Sequence, residues 1–570
     1  MPESDPLPSG PPAPGTDQEA KPGKNGPRKW WPFAALAAVL VVALVVFVLP
    51  LLQTGNEPSP ASQSSPSPTT TSASPTPTPS AALPPAPPVT YYDQAGPPAG
   101  SPLTAVDPLT IKVSANKSGA KLPDGIVGLS LEATDLADTS LHGGNAQIVS
   151  RLTGLGKPLL RFGGNAVDRR FFWSSSGEGL PANITGDKAH PARVVTPADL
   201  TRVNTLLEAS DATISLTVDL GHFDPARAAD MVKHASQTFG PRLVSLTVGN
   251  EPNGFPLSGV RDKSWGVNDY IKELKQYADA IYKVAPDLPL LGPGAYEQSW
   301  WEPFLKADLP QKKILSLHNY PLHVCDSTSG DRAPTVANLM SSKLHDATAA
   351  YQTAALDLAR KYNVETWMPE TGISACSGSN PTTKVHASAL WAVDYSLNAA
   401  RLGIQRLGFH SSLLTCVGGP PMSAICTGGP YLKPDGTFSE RSNYFGMSMV
   451  AELGHGEFLD LETSGGGLTY AYALQNPDGS TSVVIINQND PTQAAQAEVT
   501  LELPGKALTG TMSQMTGPSF SAEDQTRIDG AFQAPVPVAE RPTVPGFAYG
   551  SKTQTFALTA GTATVLNFTY

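Results

Sequence analysis

The stretch Val244-Ser-Leu-Thr-Val-Gly-Asn-Glu-Pro-Asn253 sets an uncharged apolar run against a turn that ends in a carboxylate. Val244–Val248 reads as a strand covered on both faces, because its apolar residues are near-continuous rather than alternating. The same grammar recurs along the chain. Candidate strands are Ile126–Leu131, Leu159–Phe162, Thr213–Val218, Val244–Val248, Leu288–Leu291, Ile314–Leu317, Thr366–Met368 and Leu407–Phe409. Helix starts such as Thr196-Pro-Ala-Asp199 and Asn268-Asp269 lie between them. Eight such alternations predict an α/β fold, a (β/α)8 TIM barrel over residues 121–452. Pro289 makes the fifth strand the poorest member.

Polar residues fall at the C-terminal end of one run after another. They are Leu129-Ser-Leu-Glu132, Arg161-Phe-Gly-Gly-Asn165, Asp219-Leu-Gly-His222, Gly249-Asn-Glu-Pro252, His318-Asn-Tyr320, Pro369-Glu-Thr371 and Phe409-His410. A barrel of this type builds its active site from that end of its strands. Glu251 follows the fourth run and Glu370 the seventh. Two carboxyls facing each other across a cleft are what acetal hydrolysis needs, one protonated to release the leaving oxygen and one ionised to attack.

Outside the barrel the texture changes. After residue 452, segments such as Thr481–Asn487, Ala497–Leu503 and Thr562–Phe568 are short, β-branched and partly alternating, which predicts an antiparallel β-sandwich over 453–570. Residues 107–120 read as one more strand, joining that sandwich. At the other end, residues 1–29 carry all the early positive charge, and Trp30–Leu52 has none. About 20 apolar residues cross a bilayer core, so residues 30–52 are expected to be a transmembrane helix with the N-terminus cytoplasmic and the rest extracellular. A cleaved signal peptide, giving a secreted protein, is the alternative. Residues 53–106 form a Pro/Ser/Thr-rich linker, biased to extended polyproline II and disordered.

The formal net charge of −11 excludes nucleic acid as a main partner and disfavours a polyanionic substrate. Four cysteines suit an oxidising compartment. Of three possible pairings, Cys416–Cys426 as a short clip and Cys325–Cys376 between two loops are preferred. No CxxC spacing exists, so no zinc site is expected.

Asn-Glu-Pro after the fourth strand and a glutamate closing the seventh resemble the retaining glycosidases of the four/seven barrel clan. Within it, Gly128-Leu-Ser-Leu-Glu132, Leu160-Arg-Phe-Gly-Gly-Asn165, His318-Asn-Tyr320 and Tyr444-Phe-Gly446 resemble glycoside hydrolase family 79, the β-glucuronidase and heparanase family. Val484-Ile-Ile-Asn487 is similar to part of that family's companion domain. The resemblance covers about residues 105–570 and implies a carbohydrate substrate, with no metal or other cofactor. It implies Glu251 as general acid/base and Glu370 as nucleophile. Asn250 would bond the sugar 2-hydroxyl, and Arg161 and Tyr320 would hold Glu370 ionised. Asn165, His318 and Glu132 would contact the sugar. Asp219, His222 and His410 read as mainly structural. The family's glucuronidases bind the uronic carboxylate through a Tyr-x-Gly stretch after the nucleophile. Here Ile373-Ser-Ala-Cys-Ser-Gly378 stands there without a tyrosine, leaving Arg169 and Arg170 as the alternative partners of an acid group. Two other functions share these residues: a non-catalytic surface glycan-binding protein and a wall-remodelling transglycosylase.

Overall fold

The computed structural model describes residues 102–570 apart from 326, 328, 377–379, 418–422 and 532–534. The apolar run 30–52 and most of the Pro-rich tract lie outside the described residues. Among the described residues no helix is long and apolar enough to cross a membrane.

Eight parallel strands close into a barrel in chain order: Val127–Glu132, Leu159–Gly163, Thr213–Val218, Leu243–Val248, Leu290–Ala295, Lys312–Asn319, Glu365–Thr371 and Arg406–His410. Each predicted run lies on or beside one of them. The fifth differs most, because it runs through Gly292-Pro293-Gly294 instead of stopping at Leu291. Glycine at 292 is required there, since a Cβ would lie 2.6 Å from the Phe304 ring. Packing thus overrides poor strand propensity. Helices fill the gaps between strands. Pro197–Ser210 starts on a capping box in which Thr196 N–H and Oγ1–H both donate to Asp199 Oδ2, at 2.9 and 2.8 Å. Val267–Ile281 starts one residue before the predicted Asn268, with Gly266 N–H donating to Asp269.

The barrel interior is layered. Leu159, Leu291, Ile314 and Trp367 form an apolar plug near the N-terminal ends of the strands. Alternation along each strand places Arg161 above Leu159, and Ser316 then His318 above Ile314. Small hydroxyls such as Ser215 and Ser245, bonded at 2.8 Å, fill the middle. Leu160, Phe162, Leu216, Leu246 and Leu317 face outward into the helix ring.

Apart from two small two-stranded sheets, Phe171–Trp173 with Arg193–Val195 and Ile425–Thr427 with Phe438–Glu440, the strands outside the barrel do not form two separate antiparallel sheets. They make one nine-stranded sheet: Arg527–Ile528, Thr509–Thr516, Thr562–Thr569, Thr481–Asn487, Thr469–Gln475, Glu457–Ser464, Leu109–Lys121, Ala497–Glu502 and Thr553–Leu558, in that order. One of its pairings, between Leu109–Lys121 and Ala497–Glu502, is parallel. Hydrogen bonding carries through because Leu109–Lys121 enters from before the barrel and bridges two groups of later strands. Ile111, Val499, Leu566 and Phe568 share one apolar cluster, so the sheet folds over on itself. The linker also ends earlier than residue 106, since Thr104 bridges to Ala494. Both preferred disulfides, Cys325–Cys376 and Cys416–Cys426, are formed.

The sheet's other face joins the barrel's own core through Tyr472, Val484, Ile486 and Val565. His386, which opens the helix His386–Leu402, is buried at this seam. Its Nε2–H donates to Gly561 O at 2.7 Å, and its Nδ1 lies 3.1 Å from Thr526 Oγ1. Burial, against the Gly561 bond, brings its pKa down to about 4 from 6.5. Below pH 6.5 the unfolded chain therefore binds a proton that the folded one refuses, and stability falls with pH. From pH 7 to 5 this one group should remove about 2 kcal/mol. Thermal melts of wild type and His386→Gln across that range should show the steeper decline in wild type; parallel declines would refute the assignment.

Candidate active site

The two carboxylates arrive by different backbone devices. Across the sixth and seventh strands Trp367 pairs with Ser316, but Glu370 pairs with His318, so the seventh strand holds one extra residue. Its pairing with the eighth strand shifts in the same place, Met368 with Leu407 and Thr371 with Phe409. This bulge around Pro369 re-aims the following side chain. The fourth strand ends instead in Gly249 at φ 76° and Glu251 at φ 49°, ψ 54°. Left-handed backbone at a glutamate is strained by about 1–2 kcal/mol. Glu251 N–H donates to Gly294 O at 3.1 Å, which ties the turn to the fifth strand.

One oxygen of Glu251, one of Glu370 and a ring nitrogen of His318 all lie within 4.8 Å of one another. His318 Nδ1 sits 3.0 Å from Glu251 Oε1 and 3.7 Å from Glu370 Oε2. Two carboxylates and an imidazole this close could also chelate a cation. In the structure these atoms already engage one another.

Glu370 is buried and fully engaged. Arg161 donates to its Oε2 at 2.7 Å, and the Tyr320 hydroxyl to its Oε1 at 2.9 Å. Arg161 also reaches Ser130 Oγ at 3.0 Å and Asn250 Oδ1 at 2.6 Å. Glycine at 163 makes room for this fork, since a Cβ there would lie 2.3 Å from the guanidinium carbon. Burial pushes the Glu370 pKa up, but His318, His410, Arg161 and the Tyr320 bond outweigh it and bring it down to about 2. Glu251 is less deeply buried, and its one ion-pair partner among the described residues is His318. The pair is therefore asymmetric: the guanidinium bonds one carboxylate and not the other.

A cavity of about 710 Å³ opens over the pair, lined by Asn165, His318, Tyr320 and the two glutamates among others. Arg161 and Asn250 stand behind it rather than lining it, Arg161 bonded to both Glu370 and Asn250. Glu132 does not line this cavity: it accepts from Ala166 N–H at 2.6 Å and lines a neighbouring groove of about 670 Å³, with its Oε1 3.7 Å from His410 Nε2. Arg170 lines that groove too, 4.0 Å from Glu132 Oε2, and Arg169 is exposed. Neither arginine lines the catalytic cavity, whereas Arg332 and His323 do. These two sit on the loop after the sixth strand, where no local sequence motif marks them.

His410 is not merely structural. Its Nδ1 lies 2.7 Å from Tyr320 Oη and 3.9 Å from Glu370 Oε1. Tyr320 has one hydrogen; given to Glu370, it leaves His410 Nδ1–H as the donor of the other bond. Burial opposes the charged ring, yet Glu132 and Glu370 carry its pKa upward. Its place at the C-terminal end of the eighth strand is the signal that the sequence offers.

Residues 203–396 match the model of the glycosyl hydrolase family 79 N-terminal domain, a stretch holding Glu251, His318, Tyr320 and Glu370. The match supports a glycosidase. No curated protein matches the sequence. Among solved structures, a 4-O-α-L-rhamnosyl-β-D-glucuronidase from Fusarium oxysporum 12S superposes with a TM-score of 0.61 at 18% identity, covering 80% of this chain and 99% of that one. A GH51 arabinofuranosidase from Xanthomonas axonopodis pv. citri gives 0.59 at 14% identity over 81% and 100%. An α-L-arabinofuranosidase from Thermotoga maritima gives 0.59 at 12% over 80% and 99%. At these identities the likeness establishes the fold, a barrel with a companion sheet.

Arg161→Met should expose what the ion pair does. An unpaired buried carboxylate costs about 3–5 kcal/mol, so the melting temperature should fall. The acidic limb of kcat/KM should move to higher pH, because burial would then act on Glu370 with one cation fewer. An acidic limb unmoved in a folded variant would remove Arg161 from the control of Glu370.

Proposed function

We propose that this protein is an exported retaining β-glycosidase, β-glucuronidase-like, that hydrolyses O-glycosidic bonds of an oligo- or polysaccharide. The observation that carries this reading is the approach of Glu251 and Glu370 to within 4.8 Å, oxygen to oxygen. Retaining glycosidases hold their carboxyls about 5–5.5 Å apart, while inverting ones need about 6.5–9.5 Å for an intervening water.

The asymmetry of the pair supports a division of roles. Glu370, held ionised by Arg161 and Tyr320, attacks the anomeric carbon, and the C–O bond to the leaving group breaks as Glu251 gives that oxygen its proton. Glu251 then takes a proton from water, which attacks the same carbon and releases Glu370. Asn250 would bond the sugar 2-hydroxyl through its buried Nδ2, which has no partner among the described residues, since its carbonyl oxygen is taken by Arg161. For an acidic sugar, the Arg332 guanidinium lines this cavity with His323 beside it as a further hydrogen-bonding group, in place of a tyrosine motif. The likeness to a structure described as a rhamnosyl-glucuronidase is in keeping with an acidic sugar. In the cell, residues 30–52 would anchor the chain in the membrane, and the Pro-rich tract would hold the barrel outside it.

A panel of aryl β-glycosides, glucuronide included, tests the activity on the exported portion. The first-formed product anomer, read by proton NMR, should keep the substrate's configuration. Glu370→Gln should abolish turnover with the fold intact. Glu251→Gln should lose about 10²–10⁴-fold on substrates whose leaving group needs a proton. Full turnover in Glu370→Gln, or an inverted first product, would remove the covalent scheme.

A further inference from the structure

Asp168 stands in the loop after the second barrel strand, and nothing in its sequence neighbourhood marks it for chemistry. Its side chain is 4% exposed, and both oxygens are spent on backbone. Oδ2 accepts from Asn250 N–H at 2.8 Å. Oδ1 accepts from Leu220 N–H at 2.8 Å and from Gly221 N–H at 3.0 Å. One carboxylate therefore ties together the loops that follow the second, third and fourth strands.

The far side of the clamp is equally closed. Arg261 donates to Gly221 O and Leu220 O, each at 2.6 Å, so those two peptides are held from both sides. Gly221 admits no larger residue, because a Cβ would lie 2.2 Å from Asp168 O. Burial and the Asp219 carboxylate push the Asp168 pKa up to about 7, so this acid is costly where it sits. The three N–H donors are what oppose that cost.

We infer that Asp168 is a positioning residue for the general acid/base, fastening the strained turn that carries Glu251. Asn250 immediately precedes the left-handed Glu251, a conformation that persists only where its surroundings enforce it. The Asn250 side chain is separately fastened by Arg161. Loosening Asp168 is therefore felt one residue on, at the carboxyl that transfers the proton, more than at Arg161 or Glu370. The inference rests on the glycosidase reading above.

The test separates proton transfer from the rest of the reaction. Asp168→Asn keeps the shape but sets an amide N–H against a backbone N–H. With the sugar found by the aryl glycoside panel, kcat/KM for its phenyl glycoside, which needs acid assistance, should fall about 10²-fold. For the 2,4-dinitrophenyl glycoside, which does not, kcat/KM should change less than about threefold. There kcat and KM should fall together with a burst of dinitrophenol, because the slowed general base lets the glycosyl-enzyme accumulate. Hydrogen exchange of the 249–254 backbone should speed up in the variant whatever the sugar. If no glycoside is turned over, the glycosidase reading fails, while exchange still decides whether Asp168 holds the turn. Equal losses on the two leaving groups, unchanged kcat/KM on the phenyl glycoside, or unchanged exchange would each overturn the inference. Should Asp168→Asn not fold, Asp168→Ser, whose hydroxyl can accept but reaches fewer donors, is read by the same three measurements.

Discussion

The ion pair between Arg161 and Glu370 is the constraint on which the rest of the barrel mouth depends. Taking both charges out of water is costly, and their attraction offsets that cost only when every remaining donor and acceptor is met. Much of the surrounding architecture serves this requirement. Ser130 and Asn250 take further guanidinium hydrogens, and Tyr320 gives its own to the second carboxylate oxygen. Gly163 vacates the volume that the guanidinium fills. The outcome is a nucleophile candidate that stays ionised while shielded from water, so that its lone pairs are not masked by hydration.

Fold and site were unequally legible in the sequence, for physical reasons. The eight runs could be found because parallel strands covered on both faces must be apolar throughout. Glu251 and Glu370 could be found because barrel sites gather at strand C-termini. What escaped depends on geometry that no local pattern encodes. The fifth strand needs glycine at 292, where Phe304 leaves room for nothing larger, and at 294, where φ is 68°. Asp168 acts through three backbone amides from two other loops, none of them sequence neighbours. His410 stood in the right place and was undervalued, since its meaning comes from Tyr320, which lies 90 residues away in the chain. Glu132 shows how a strand end can serve two neighbours: one carboxylate oxygen accepts from Ala166 N–H beside the adjacent groove, and the other lies 3.7 Å from His410 of the cavity.

The two glutamates also show how a regular scaffold presents an irregular function. A barrel strand alternates inward and outward, so regular geometry alone offers few ways to aim two carboxyls at one point. A bulge re-aims Glu370, and a left-handed turn re-aims Glu251. Each irregularity is tied down by neighbours, the bulge by hydrogen-bonded strands on both sides and the turn by Asp168 and Gly294. The extra sheet contributes at a distance. It covers the helix His386–Leu402 that leads into the eighth strand, with Gly561 O bonded by His386 and Tyr472 bonded to Asp394, and so steadies the side of the barrel that delivers His410.

Net charge is the remaining point, and it changes meaning once the cavity is known. A formal −11 spread over the chain disfavours an acidic saccharide when the whole molecule is treated as one charge. Screening limits that treatment: at physiological ionic strength the Debye length is about 8 Å, so carboxylates elsewhere on the surface are barely felt inside the cleft. Within the cavity Arg332 is a permanent cation and the His410 pKa is carried upward, while of the two glutamates one is already neutralised by Arg161. An acidic group entering from solvent would meet the Arg332 guanidinium at short range and in low dielectric, where the interaction is strongest. Global repulsion then costs something in the rate of encounter, and local attraction governs what is held.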